Sequence, residues 1–208
     1  MALIHRATLA PSKQELVEAW LPTRSWASGR AVSGKVAEYR FDDPAGEVGV
    51  ETILWATDDG VVLQTPLTYR AEPLVGADAH LVGTSEHSVL GRRWVYDGCG
   101  DPVWAGALAA AILTGGSQAQ MYFEQDGERV DVPPRMQVRG TGRSEAVPPE
   151  VTPLASVTDE DTVTLVRVGA LLLTVPRVVG TPLDGELTLT GQVVDSGETN
   201  VLASLRRR

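Results

Sequence analysis

The residues best suited to chemistry form a short polar run, Ser85-Glu86-His87-Ser88. A histidine beside a carboxylate can act as a tuned acid or base, and an adjacent serine can serve as a nucleophile. No Gly-x-Ser-x-Gly elbow surrounds either serine, so the run reads equally as a loop whose side chains hold it in place or line a binding surface. Next comes Arg92-Arg93-Trp94-Val95-Tyr96, which offers donors for an anion and rings for a sugar face. Strand alternation sends Arg92, Trp94 and Tyr96 to one side and Arg93, Val95 and Asp97 to the other. The two arginines therefore do not face one ligand unless a bulge intervenes, and an Arg93–Asp97 pair beside a buried Trp94 is the structural alternative.

Asp42, Asp43, Glu47 and Glu51 supply hard oxygens, but their spacing matches no EF-hand, and Pro44 and Gly46 mark a solvated turn. His5, His80 and His87 lack zinc spacing. Gly140-Thr141-Gly142-Arg143-Ser144 lacks the lysine of a phosphate loop and reads as a linker. Cys99, between two glycines, reads as a structural thiol. Ligand or partner binding is thus assigned to Ser85, Glu86, His87, Ser88, Arg92, Tyr96, Asp42 and Glu47. No catalytic, metal-binding or cofactor-binding residue is assigned.

These residues need a scaffold. Asp101 as N-cap, Pro102 at the first helical position and Gly115-Gly116 as a stop predict an apolar helix, with Val103, Trp104, Ala107, Leu108, Ala111 and Ile112 at helical spacing. Small residues beside that stripe let another element approach closely. Ser12 and Glu15 have capping-box spacing and open a short helix with Leu16, Val17 and Trp20 on one face. Strands are predicted over 35–41, 48–56 and 61–70, joined by Asp43-Pro44-Ala45-Gly46 and Asp59-Gly60, with Pro66 pointing to an edge or bulge. Residues 83–91 read as a loop and 94–96 as a short strand. Beyond the helix, strands are predicted at 120–124, 128–132 and 136–139. A flexible linker follows over 140–153, then strands at 162–168, 170–179, 186–194 and 201–205. The fold class is α+β, with one unit at 1–116 and a β-rich antiparallel unit at 117–208.

A formal charge of −9 argues against nucleic acid or an anionic membrane surface as partner. One cysteine excludes an internal disulfide framework. The start lacks a signal-peptide layout and the longest apolar run is too short to span a bilayer, so the expected location is cytoplasmic.

Leu63-Gln64-Thr65-Pro66-Leu67-Thr68-Tyr69, Val82-Gly83-Thr84, Gly91-Arg92-Arg93-Trp94-Val95-Tyr96-Asp97 and Asp101-Pro102 together resemble the N-terminal cap of actinobacterial maltokinase-type sugar kinases, across about residues 1–115. The resemblance implies a cystatin-like fold, a helix clasped by a curved antiparallel sheet. It also implies a setting in α-glucan, trehalose or maltose-phosphate metabolism. Val163–Arg177 is similar to the kinase hairpin that carries the phosphate-gripping lysine, and here that position is Thr174. No catalytic-loop Asp with a metal-binding Asn follows. The resemblance thus implies a non-catalytic cap-like protein with a remnant of the upper lobe, binding a partner protein or a small ligand. Two alternatives are a subunit of a sugar kinase or other carbohydrate-active enzyme completed by a separate catalytic chain, and a small carbohydrate-binding module using Trp94, Tyr96 and Tyr69. No cofactor is expected.

Overall fold

A computed structural model describes residues 2–3, 7–125, 127–147 and 154–207. His5, Asp126 and the linker residues 148–153 lie outside them. After β1 (Ala2–Leu3) and β2 (Leu9–Ala10), helix α1 (Lys13–Trp20) starts with the expected capping box: Ser12 Oγ accepts from Glu15 N–H, and Glu15 accepts from Ser12 N–H at 2.7 Å. Strands β3 (Val32–Phe41), β4 (Gly49–Thr57) and β5 (Val62–Arg70) form an antiparallel meander. The hairpin β6 (Leu81–His87) and β7 (Gly91–Asp97) completes a six-stranded sheet in the order β2-β6-β7-β5-β4-β3.

Helix α2 (Pro102–Thr114) follows, with Asp101 accepting from Val103 N–H at 2.9 Å and Gly115 in the left-handed region at φ 66°. Strand β8 (Met121–Gln125) pairs with β1 on one side and with β9 (Glu128–Val132) on the other in a small three-stranded sheet. The last strands are β10 (Met136–Gly140), β11 (Leu154–Glu160), β12 (Val163–Val168), β13 (Leu171–Pro176), β14 (Leu187–Val193) and β15 (Thr199–Arg207). They form a second six-stranded sheet ordered β10-β14-β15-β13-β12-β11. The α+β class holds, and the first sheet curls as a half-barrel. No helix among the described residues is long and apolar enough to cross a membrane.

One core joins both large sheets. Tyr39, Phe41 and Val50 of the first meet Val166, Leu173, Leu189 and Leu202 of the second, with Trp104, Leu108 and Ile112 of α2 between them. The helix is therefore buried nearly all round, where its spacing predicted a single buried face. The opposite face of the first sheet is covered by α1 and by short turns carrying Leu21 and Trp26, against Ile53, Leu67 and Val95. Trp20, Trp26, Trp55 and Trp104 are all buried.

Four local expectations change. Residues 81–87 are a strand, where 83–91 read as a loop: their backbone pairs with β7, and β2 adds pairing at Glu86 and His87, which satisfies main-chain groups whatever the side-chain polarity. β5 is central, not an edge. Gln64 N–H points away from β4 to Arg177 O, so position 66, two residues on, faces the same side, and there the β7 ladder starts only at Leu67. The missing proline donor thus falls in a gap between two pairings. Residues 140–143 are docked, not a free linker. Gly142 and Arg143 donate to Ile112 O and Leu113 O at 2.9 Å, capping α2, and a Cβ on Gly142 would overlap the Leu113 carbonyl. β11 was not anticipated, because its sequence, Leu-Ala-Ser-Val-Thr-Asp-Glu, has the polar character of an edge strand.

Candidate functional site

A concavity of about 660 Å³ opens on the α1-covered side of the first sheet, beyond the start of α1. The β3–β4 turn walls it on one side and the tip of the β6–β7 hairpin on the other. Of the residues chosen from sequence, Asp42, Glu47 and His87 line it. Asp43 fixes the turn: its carboxylate accepts from the N–H groups of Ala45, Glu47 and Val48 at 3.1, 3.0 and 2.9 Å. This Asx-type anchoring explains a sharp acidic corner without a cation. Among the described residues no three His, Cys, Asp or Glu side chains gather as a metal-binding group.

At the hairpin tip, His87 Nδ1 accepts from Val89 and Leu90 N–H at 3.2 and 3.1 Å, so the imidazole closes the turn. Ser85 is buried and donates to Pro11 O at 2.7 Å. Ser88 Oγ accepts from Thr8 N–H at 3.1 Å. Glu86 and Arg92 stand directly opposite each other on the other face of the hairpin and form an exposed 2.7 Å ion pair. Tyr96 is buried, its hydroxyl accepting from Leu74 N–H at 2.9 Å. The eight chosen residues therefore do not converge: three line the cleft, Ser85 and Ser88 hold the N-terminal segment, and Glu86, Arg92 and Tyr96 do not line it.

The alternation of Arg92 and Arg93 holds, but the expected Arg93–Asp97 pair does not form. Arg93 donates to Leu90 O, whereas Asp97 is taken by the buried Arg177. Trp94 is half-buried, not buried. Tyr69 pairs in register with Val95 and shares its face, while Trp94 and Tyr96 take the other. These three rings therefore cannot form one sugar platform, which removes the basis of the carbohydrate-module alternative. Thr174 lies mid-strand between Leu165 and Ser204.

Sequence reasoning missed Lys13 and Arg40 in the cleft and passed over Arg93. Beneath its floor, buried Glu51 accepts from Lys13 Nζ at 2.9 and 2.6 Å and from the Tyr69 hydroxyl at 2.6 Å. Burial pushes the Glu51 carboxyl up, but Lys13, Arg40 and the two donors outweigh it and hold the group at about 2. Burial and then Glu51 push the Tyr69 phenol up. Burial likewise raises the Cys99 thiol, which is fully buried and unsuited to attack.

The Glu51 shift has a sign. A carboxyl held below its ordinary 4.5 contributes stability that is fully present above that pH and is lost as pH falls toward 2. The expected contribution at neutral pH is about 3 kcal/mol. Urea unfolding at pH 7, 4 and 2.5 checks it: the wild type loses stability across this window, and Glu51→Gln starts lower and falls less steeply.

Residues 20–101 match the family described as the maltokinase N-terminal cap domain. The match spans β3 to β7 and stops at the N-cap of α2. That segment is maltokinase N-terminal cap-like, in line with the motifs quoted above. No curated protein matches the chain.

Proposed function

We propose that this chain, with its cap-like domain at residues 20–101, is a non-catalytic protein that binds a partner protein or small ligand through the cleft walled by Asp42, Glu47 and His87. One observation carries the reading: in the run Ser85 to Ser88, the groups able to act as base or nucleophile hold backbone. His87 Nδ1 closes its own turn, Ser85 and Ser88 tie down the N-terminal segment, and Cys99 is sealed. What remains around the cleft is a shaped, charged surface, which suits recognition. The family match supports a role beside α-glucan, trehalose or maltose-phosphate metabolism. Thr174 in place of a phosphate-gripping lysine supports the absence of phosphotransfer.

Affinity capture with the tagged full chain tests this, comparing wild type with Asp42→Lys/Glu47→Lys in native extract. The expected result is a species retained by the wild type and lost from the variant. Identical retention by both would remove the cleft from the function. Capture of a chain that bears phosphotransferase activity only in the complex would favour the alternative of a subunit completed in trans.

A further inference from the structure

We infer that the cleft takes an oxyanion, a phosphate or carboxylate group on a small molecule, with Arg40 and Arg93 as its donors; this rests on the reading of the cleft as the binding face. The acids at the base of the site are already committed. Asp43 is spent on three amides of its own turn, and Glu51 on Lys13 and Tyr69. Glu51 also faces the Arg40 charge, but it accepts its hydrogen bonds from Lys13 and Tyr69, so neither acid takes up a guanidinium N–H of Arg40 or Arg93.

Arg40 sits opposite Glu51 in the β3–β4 register and lines the cleft, yet its Nε is sealed from solvent with no hydrogen-bond partner. Arg93 donates one Nη2 bond to Leu90 O, and its Nε is likewise sealed and unpartnered. A guanidinium is planar and always charged, and its natural complement is a pair of oxygens on one anionic group. The sealed Nε atoms are out of a ligand's reach, but both arginines line the cleft, so an oxyanion there meets their remaining guanidinium N–H groups.

The arginine position is built, not incidental. A Cβ on Gly49 would lie 3.3 Å from Arg40 Nη2 and 3.2 Å from Tyr69 Cδ2, so the glycine leaves the guanidinium seated beside the Tyr69 ring. Asp42 and Glu47 on the rim oppose a bare polyanion and favour a compact body whose hydroxyl or amine groups donate to them. A cleft of about 660 Å³ has room for a small molecule of this kind.

The test titrates the full chain with inorganic phosphate and, separately, with acetate, at ionic strength fixed by chloride, read by calorimetry and by amide shifts in ¹⁵N–¹H spectra. The inference expects saturable one-site binding of at least one probe, shifts clustered at Arg40, Gly49 and Arg93, and at least tenfold weaker binding in Arg40→Gln and in Arg93→Gln. Arg206→Gln, exposed on β15, keeps wild-type affinity. Should Arg40→Gln fail to fold, Arg93→Gln decides alone. Binding no stronger than the chloride control, or undiminished in the folded arginine variants, overturns the inference. If cleft-dependent capture persists in that case, the oxyanion is wrong but the binding face stands.

Discussion

Asp97→Ala is expected to destabilise the fold by about 3–5 kcal/mol, because it strands a guanidinium in the interior. Arg177 is fully buried, pairs with the Asp97 carboxylate, and donates from Nε to Thr164 Oγ1 at 2.7 Å. Its guanidinium also lies 4.8 Å from the centre of the Trp26 ring. Burial alone would lower the arginine's proton affinity, but Asp97 reverses this and the net shift is upward. The pair spans the two large sheets, Asp97 closing β7 and Arg177 following β13. Asp97 also accepts from Cys99 N–H at 3.2 Å, so the turn leading into α2 loosens with it. Urea unfolding of the single variant measures the loss. The double variant Asp97→Leu/Arg177→Met should recover most of it, since an apolar pair leaves no unpaired charge. A single variant within about 1 kcal/mol of wild type would mean that water reaches Arg177.

Trp104→Ala is expected to cost about 3–5 kcal/mol, for a different reason. Trp104 is 1% exposed, and its indole N–H donates to Thr52 Oγ1 at 3.3 Å. Its ring also fills the space that a Cβ on Gly98 would enter. Removing it opens a cavity in the core shared by both sheets. Because α2 is packed from both sides, unfolding should remain one transition, with far-ultraviolet circular dichroism and tryptophan fluorescence coinciding. Two separated transitions would show that the halves do not share a core. The buried Gln64 amide, which donates from the first sheet to Pro176 O and Leu202 O at 2.9 and 3.0 Å, argues for a single transition.

Local signals were legible wherever a few neighbouring residues decide the outcome. Ser12/Glu15 and Asp101-Pro102…Gly115 gave both helices, since caps act within one turn. Asp43 to Gly46 and Asp59-Gly60 gave both hairpins of the meander. Residues 81–87 were not legible as a strand, because Thr84, Ser85 and Glu86 lack the usual apolar alternation and the pairing comes from β2 and β7. Gly140 and Gly142 looked like flexibility, but here they allow close approach: the absent Cβ atoms let the backbone reach the end of α2, which only tertiary contact reveals.

The same division runs through the site. Alternation placed Arg92 and Arg93 on opposite faces, but it could not say which face carried the cleft, and Glu86 and His87, read as loop, had no face until the β6–β7 register set His87 on the side of Arg93. Arg40 becomes visible once the turn fixes the β3–β4 register and sets it opposite Glu51. The Asp97–Arg177 pair, 80 residues apart in sequence, has no local signal at all.

Whether this chain recognises or catalyses is measured most directly with the purified protein incubated with ATP and magnesium, with and without a sugar acceptor. Absence of nucleotide turnover above the buffer rate is the predicted result. Turnover that scales with protein concentration and follows the chain through purification would contradict it.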